Sequence, residues 1–462
     1  MLDSLDTLDY LKTRLRDLVW RLTPVDGEGF LSLVLDLPGT VPDLPRISGP
    51  QFQFQRGRKN RLRMGLGIAA EWRAAGPHRL EDLRRQARTL SAVWRQEDPD
   101  QTGFRGFALV GFSAHPATPG AKASHALPEA LIWVPELAVQ RDGDQAVLVL
   151  TTRLPARRAD LLRRWDARLE QLVPALHRPA SGPAQPAALA RGDDTPDRTG
   201  WASLVRSGLR GIADREFDKV VVTRRLRIRS SRRFDIHRLM AGLRTSYPSC
   251  QVIHVHRSGT SFAAATPERL LSLRGQRAEA DALAGTASRG VGPAEDDALA
   301  RALQCSAKNL HEHRLVVEAI REALSPQLAE IHIPRRPRIM KLNNAQHLWS
   351  PIRARLRAAS DLLELAGLLH PTPATNGQPR AAADRWLRRM EPFQRGWYTG
   401  VAGIMEPDLT GELWVLLRCA SIRGDTADLY AGAGIVDGSD PAAEWQETEH
   451  KLGAMLTALQ CA

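Results

Sequence analysis

The sequence predicts an α+β protein with substantial antiparallel sheet, on three observations. The second half runs through strand after strand divided by glycine turns, as in QVIHVHRSG, TSFAAATPERLLSLRGQR and AEADALAGTASRG. Helical periodicity is confined to a few amphipathic stretches between those runs, with no regular strand–helix alternation of the kind that builds parallel sheets. The composition is that of an ordinary soluble globular chain, 43% hydrophobic and 25% charged over 462 residues, long enough to bury a full core without covalent staples.

Taken in order, the start, MLDSLDTLDYLKTRLRDLVWRL, places Leu5, Leu8, Leu11, Leu15 and Leu18 at helical spacing. FALVGFSAH, ALIWVPELAV and, after the RDGD turn, QAVLVLTTRL read as strands. LEDLRRQARTLSAVWRQ and RADLLRRWDARLEQLVPAL read as amphipathic helices. The stretch near residues 178–200, RPASGPAQPAALARGDDTPDRTG, reads as a surface loop or linker. Beyond it, DKVVVTRRLRIR is a strand and RFDIHRLMAGLRTSYP a helix. AEDDALARALQCSAKNLHEHRLVVEAIREAL reads as one long helix, LWVLLRCASIRGDTADLYAGAGIVDGSDP as a strand pair, and PAAEWQETEHKLGAMLTALQ as a closing helix behind an Asp440 cap.

Composition narrows the function classes. Four separated cysteines with no CxxC pair exclude a disulfide scaffold and a cysteine-type zinc site, and suit a reducing compartment. No apolar run approaches the ~18–20 residues that span a membrane, so no membrane partner and a cytoplasmic location are expected. The net charge of +12 raises nucleic-acid binding. The arginines are scattered, however, and aromatics are only 5%, which argues against a basic groove with stacking rings. Only seven of the 64 basic residues are lysines. A lysine retained in such an arginine-biased chain marks a task guanidinium cannot perform, such as taking a proton at neutral pH.

Four constellations could carry chemistry. On the closing helix Glu444, Glu447 and Lys451 share a face, continued by Leu452, Met455 and Leu459, so the carboxylates sit at one end of the stripe to be buried. Buried carboxylates need a metal or a cation; a surface Glu447–Lys451 i,i+4 pair is the alternative. The preceding AGAGIVDGSDP supplies Gly432 and Gly434 for close backbone approach to a ligand. Glu312 lies in line with Val316 and Ala319, while the neighbouring His311 and His313 lack the spacing of a zinc helix. Glu312 and Glu447 together would make an oxygen-rich, magnesium-type site. Lys219 opens an apolar strand on the face of Val221 and Thr223, either as a desolvated base or as an edge-strand lysine. Glu268 is an acid in an apolar setting, suited to proton donation or to a salt bridge with a neighbouring arginine. Arg418 is a lone arginine in LLRCA, either an ion-paired core residue or a carboxylate clamp.

The segments DKVVVTR, ATPERLL, ALAGTASRG, SAKNLHEHRLVVEAI, LHPTPATNG, WYTGVAG, LLRCA and AGAGIVDGSDPAAEWQETEHKL occur in this order over most of residues 212–455. Together they resemble the chorismate-utilising enzymes: isochorismate and salicylate synthases and the synthase subunits of anthranilate and aminodeoxychorismate formation. QFQFQRGRKNRLRMGLGIAAEW is similar to the family's early strand pair. The resemblance implies two large packed antiparallel sheets with outer helices and a cleft between them. Residues 1–199 would contribute strands and helices to this shared sandwich, and residues 200–462 would form the chorismate-binding catalytic region.

The resemblance also implies roles. Glu312 and Glu447 would hold Mg²⁺, with Glu444 beside them. Thr286, His347, Gly432 and Lys451 would bind substrate, and Arg418 with Tyr398 would clamp the enolpyruvyl carboxylate. Lys219 would activate water for attack at C2, and Glu268 would protonate the departing C4 hydroxyl. A lysine at 219 together with Ala284 in ALAGT matches the water-using branch and implies an isochorismate synthase, with menaquinone formation as its setting. Salicylate synthase is the alternative within the family, and a basic nucleic-acid-binding protein the one outside it. The partners implied are chorismate and isochorismate, with no nucleic acid, and the chain is expected to be a monomer. Asn309, one turn before Glu312, stands where related enzymes carry an acid, which implies weaker Mg²⁺ binding.

Overall fold

A computed structural model describes residues 4–22, 27–38, 46–117, 127–176 and 186–462. Among these, two sheets of 13 and 10 strands dominate. Neighbouring strands run antiparallel except Gly29–Asp36, which pairs in parallel with Trp94–Glu97. Both halves of the chain build both sheets. In the larger sheet Gln51–Arg56 joins Gln251–Arg257, and in the smaller Ala108–Phe112 joins Val401–Met405. Residues 1–199 and 200–462 therefore share one sandwich.

Strand alternation divides the core. In QFQFQ, Phe52 and Phe54 point between the sheets, where Phe52 meets Trp133 of the other sheet edge-to-face at 5.0 Å. The outer face of the larger sheet is covered by the helices Ser4–Arg21, Arg158–Leu176, Ile236–Ser246 and Pro441–Gln460. Arg79–Ala92, Ala307–Leu324 and Leu362–Leu369 cover the smaller sheet. No helix among the described residues is long and apolar enough to cross a membrane.

Three apolar runs that read as continuous are broken where the chain changes sheets. ALIWVPELAV splits at Pro135 into Ala130–Val134 in the smaller sheet and Leu137–Asp142 in the larger. TSFAAATPERLLSLR splits at Pro267–Glu268, and LWVLLRCASIR at Leu416–Arg418. Burial of both flanking strands keeps the hydropathy high through each crossing, so the run shows no gap.

Two further expectations are corrected. The long helix is two helices, Pro293–Cys305 and Ala307–Leu324. Ser306 separates them, and its side chain caps the second by accepting from the Asn309 amide. The stretch near 178–200 is not all loop. Residues 178–185 lie outside those described, but Leu189–Thr195 is a strand pairing with Lys219–Ser230, and Asp197 caps the helix Arg198–Ala213. That strand has the larger sheet on one side only, so polar side chains suit it and no apolar alternation betrays it.

Candidate active site

The sheet crossings place the first two candidates. Glu268 and Arg418 sit in the links at 267–268 and 416–418, which are bonded to each other: Val415 N donates to Glu268 O at 3.1 Å, and Ala265 N to Arg418 O at 3.2 Å. Both side chains enter one cavity between the sheets, lined also by Thr286, Glu312, His347, Tyr398, Gly432, Glu447 and Lys451. Lys219 and Glu444 are outside this lining: Lys219 is ion-paired to the lining Glu312, and Glu444 to Lys308.

Three carboxylates here are each met by a lysine. Lys219 Nζ lies 2.8 Å from Glu312 Oε1, Lys451 Nζ lies 2.6 Å from Glu447 Oε1, and Lys308 Nζ lies 2.8 Å from Glu444 Oε1. Lys219 is fully buried on a strand paired on both sides, which removes the edge-lysine reading. The Glu447–Lys451 pair does form, but Lys451 also donates to Gly432 O at 2.8 Å and faces the cavity. Burial pushes the Glu312 carboxyl up, yet Lys219, Lys451 and Lys308 outweigh it and hold the group below its usual value. Glu444 is raised, by burial and by the negative charge of Glu447, against the pull of Lys308.

Glycine lets this cluster close. A Cβ on Gly434 would stand 2.4 Å from Glu312 Oε1 and 3.0 Å from Lys219 Cε. A Cβ on Gly432 would stand 3.0 Å from the Tyr398 hydroxyl. Tyr398 in turn stacks on Tyr430, with ring centroids 5.3 Å apart.

Arg418 is not half of a core ion pair among the described residues. Its Nη2 lies 2.7 Å from His347 Nε2, while its Nε and Nη1 are buried without a partner among the described residues. Burial and the adjacent Arg418 hold His347 far below its usual pKa, so the imidazole is neutral and accepts from the guanidinium at Nε2. The hydrogen is then on Nδ1, 3.1 Å from Thr286 Oγ1. Nε and Nη1 point to different sides of the planar guanidinium, so each is left as a single donor open to an anionic oxygen.

Glu268 forms no ion pair among the described residues, because Arg269 turns instead to Glu279 at 2.9 Å. Burial, reinforced by Asp281, pushes the Glu268 carboxyl up to about 8, against Lys219, Lys451 and Arg418. It therefore carries a proton at neutral pH.

His313 turns into the core and meets Ser350 Oγ at 2.8 Å. Asn309 spends its amide on Ser306 Oγ at 2.8 Å and packs beside Gly285. Among the described residues no three His, Cys, Asp or Glu converge as a ready-made cage. The donor set nonetheless fits Mg²⁺, which takes hard oxygen ligands, keeps several waters and needs only one or two carboxylates.

Sequence reasoning missed a buried pair that ties the site together. Arg395 bonds Glu391 at 2.6 Å, Val221 O at 2.7 Å and Thr375 O at 2.6 Å, and Glu391 accepts from Thr223 Oγ1 at 2.7 Å. Arg395 lies in the RGWYTG stretch, three residues before Tyr398, but its partners come from distant strands and loops. Lys308 lies within the SAKNLHEHRLVVEAI motif, but its sequence setting assigns it no role.

Known proteins point the same way. A family model described as "Chorismate binding enzyme" matches residues 36–460. A salicylate biosynthesis isochorismate synthase from Pseudomonas aeruginosa is 35% identical over 397 residues, 85% of this chain and 82% of that one. An isochorismate synthase of Bacillus subtilis is 34% identical over 263 residues, 57% of this chain and 56% of its own. The solved menaquinone-specific isochorismate synthase of Escherichia coli superposes with a TM-score of 0.79 at 28% identity, covering 97% of this chain and 99% of that one. Anthranilate synthase component I from Streptococcus pneumoniae, at 18% identity and a TM-score of 0.66, shares the fold.

Proposed function

The chain belongs to the chorismate-binding enzyme family, and from that premise we propose that it is an isochorismate synthase, converting chorismate to isochorismate. One observation carries the choice of reaction: a buried Lys219 stands against Glu312 of the cavity that a proton-bearing Glu268 also lines, and its wall at position 284 is only an alanine. Water is a weak nucleophile and hydroxide a poor leaving group, so a base and an acid are both required. Lys219 Nζ takes a proton from water whose oxygen bonds C2. Both ring double bonds shift, C1=C2 to C1=C6 and C5=C6 to C4=C5, and the C4–oxygen bond breaks as Glu268 gives its proton to the leaving hydroxyl. One water enters and one departs.

The other residues hold the ring for this exchange. Arg418 offers an unpartnered N–H to the enolpyruvyl carboxylate, with Tyr398 beside it. Thr286 and His347 fix the guanidinium from behind, and Lys451 ties Gly432 to Glu447. Mg²⁺ would be held by Glu312 and Glu447, with Glu444 next to them, and would supply positive charge for the ring carboxylate.

Menaquinone formation is the setting favoured by the near-full-length likeness to the menaquinone-specific enzyme. The Pseudomonas relative is named for salicylate biosynthesis, which draws on the same product. The reading includes a cytoplasmic monomer with no nucleic-acid partner. The test is chromatography of products after incubation with chorismate and Mg²⁺. Isochorismate alone is the expected result. Pyruvate with salicylate fluorescence would make it a salicylate synthase, and no turnover together with salt-sensitive DNA retention would overturn the enzyme reading.

A further inference from the structure

A closed ring of charges joins the edge strand Leu189–Thr195, the strand Lys219–Ser230 and the closing helix Pro441–Gln460. Arg224 Nη2 lies 2.7 Å from Glu449 Oε1, and Arg224 Nη1 meets Asp194. Arg191 Nη2 lies 2.6 Å from the same Glu449 oxygen and 3.2 Å from Asp194 Oδ2. Arginines and acids alternate round the ring, which is neutral. Three residues apart, Arg191 and Asp194 would point to opposite faces of a regular strand; the register shift between them lets both reach the ring.

Arg224 is the hub. It is fully buried, and burial works against its charge. Besides meeting the two acids it donates from Nε to Thr448 Oγ1 at 2.7 Å and lies 3.8 Å from the centre of the Trp445 ring. Trp445 in turn packs edge-to-face against Trp201, with ring centroids 6.0 Å apart. One guanidinium therefore holds Trp445, Thr448 and Glu449 of the helix. An apolar side chain would fill such a space at lower desolvation cost, so packing alone does not call for arginine here. What the guanidinium adds is direction, because its donors are fixed in one plane.

The residues it holds alternate along the helix with Glu444, Glu447 and Lys451. At ~100° per residue the two sets lie about a third of a turn apart round the axis, so neither moves without the other. On its strand Arg224 pairs with Ala431, beside Gly432, whose carbonyl accepts from Lys451. Lys219 opens the same strand. Rotating a helix by about 10° carries side-chain tips, ~5–6 Å from its axis, through about 1 Å. A shift of about 1 Å at a reacting centre costs about 10²-fold in rate.

We infer that Arg224 is a positioning residue of the reaction. Through Trp445, Thr448 and Glu449 it sets the rotation of the closing helix, and so the placing of Glu447 and Lys451 in the catalytic cavity. The inference rests on the isochorismate synthase reading, in which that face of the helix serves Mg²⁺ and substrate.

Four variants of the full chain test it by steady-state kinetics on chorismate, calorimetric Mg²⁺ titration and thermal melts. Arg224→Lys keeps the charge, but one ammonium cannot reproduce the planar fork. Thr448→Val removes the hydroxyl that Arg224 holds and keeps every charge, while Thr448→Ser keeps the hydroxyl. Leu169→Ala, fully buried in the helix Arg158–Leu176 that takes no part in lining the cavity, is the control for lost stability. Arg224→Lys should lower kcat/KM about 10²-fold. Thr448→Val should lower it about tenfold, the size of one hydrogen bond to a charged group. Both should weaken Mg²⁺ binding, and Thr448→Ser should restore both readouts. Leu169→Ala should melt lower with kcat/KM and Mg²⁺ affinity unchanged. If Arg224→Lys does not fold, the Thr448 pair decides. Wild-type kcat/KM and Mg²⁺ affinity in Thr448→Val would overturn the inference and leave the enzyme reading standing. A wild-type chain that does not turn over chorismate would overturn that reading and the inference with it.

Discussion

Arg418 Nη2 lies 2.7 Å from His347 Nε2, and the other two nitrogens of that guanidinium are buried without a partner among the described residues. The guanidinium is thus held at Nη2 by the protein and keeps unpartnered donors for a ligand. Lysine cannot reproduce this, since an ammonium is a point charge and not a planar fork. Arg418→Lys should lower kcat/KM by roughly 10²-fold, the size of losing charge-assisted bonds to a carboxylate, with much of the change in KM. Steady-state kinetics on chorismate check it. An unchanged KM would remove Arg418 from substrate binding.

Glu268 sets an alkaline limb. Its carboxyl is pushed up to about 8, so the proton it donates is present at neutral pH and lost above. The profile of kcat/KM should fall above about pH 8. Glu268→Gln should remove that limb and cost about 10²–10⁴-fold in rate. The stability consequence has the opposite sense. The folded chain holds this proton and the unfolded chain, with an ordinary value of 4.5, gives it up. Wild-type stability therefore declines as pH rises from about 4.5 to about 8. Glu268→Gln should be the more stable protein at pH 7, by on the order of 2 kcal/mol, as read by denaturant melts. A less stable Glu268→Gln would show that the carboxyl is not held in its neutral form.

The legibility of the chain differs between elements and for physical reasons. Gln145–Leu154 and Pro441–Gln460 were readable to their ends, because each has its own boundary residues, the RDGD turn and the Asp440 cap. The sheet crossings were not readable, since an apolar run is equally consistent with one long buried strand or with two in different sheets. Two proposed catalytic or binding residues, Glu268 and Arg418, are in those crossings. Motif order suggested what they do, while only the fold shows why they meet. Arg395 stayed hidden because its role depends on carbonyl oxygens, and any residue supplies those.

Arg395 and Glu391 are positioning residues. The pair is almost wholly buried, and it holds the strand of Lys219 through Val221 O and Thr223, and the loop of Thr375 through its carbonyl. Arg395→Gln leaves Glu391 as an unpaired buried charge and should destabilise by about 3–5 kcal/mol. Replacing both at once, Arg395→Met with Glu391→Leu, removes the stranded charge, so stability should largely return. Turnover should not return, because Val221 O and Thr375 O still lack their donor. Thermal melts and kcat measured on both variants separate the two effects. Recovery of kcat along with stability would reduce the pair to a structural role.

Two glycines near the carboxylates should respond in opposite directions to the same substitution. Gly453, on the closing helix, has nothing within 4 Å of an added Cβ. Gly453→Ala should stabilise by about 0.5–1 kcal/mol through helix propensity, with turnover unchanged. Gly434 has Glu312 Oε1 2.4 Å from the same position, and Lys219 Cε at 3.0 Å. Gly434→Ala must therefore push apart the base and a carboxylate proposed to hold Mg²⁺. It should cut kcat by at least about 10²-fold, the scale of misplacing a reacting group by about 1 Å. Lys219→Arg keeps the positive charge but cannot take a proton, and it should abolish turnover without weakening Mg²⁺ binding. Glu447→Gln should do the reverse, raising the Mg²⁺ concentration needed for half-maximal rate. Calorimetric Mg²⁺ titration beside kcat sorts the three variants. A Gly434→Ala protein that keeps both wild-type turnover and wild-type Mg²⁺ affinity would show that the 2.8 Å contact between Lys219 and Glu312 is not needed for the reaction.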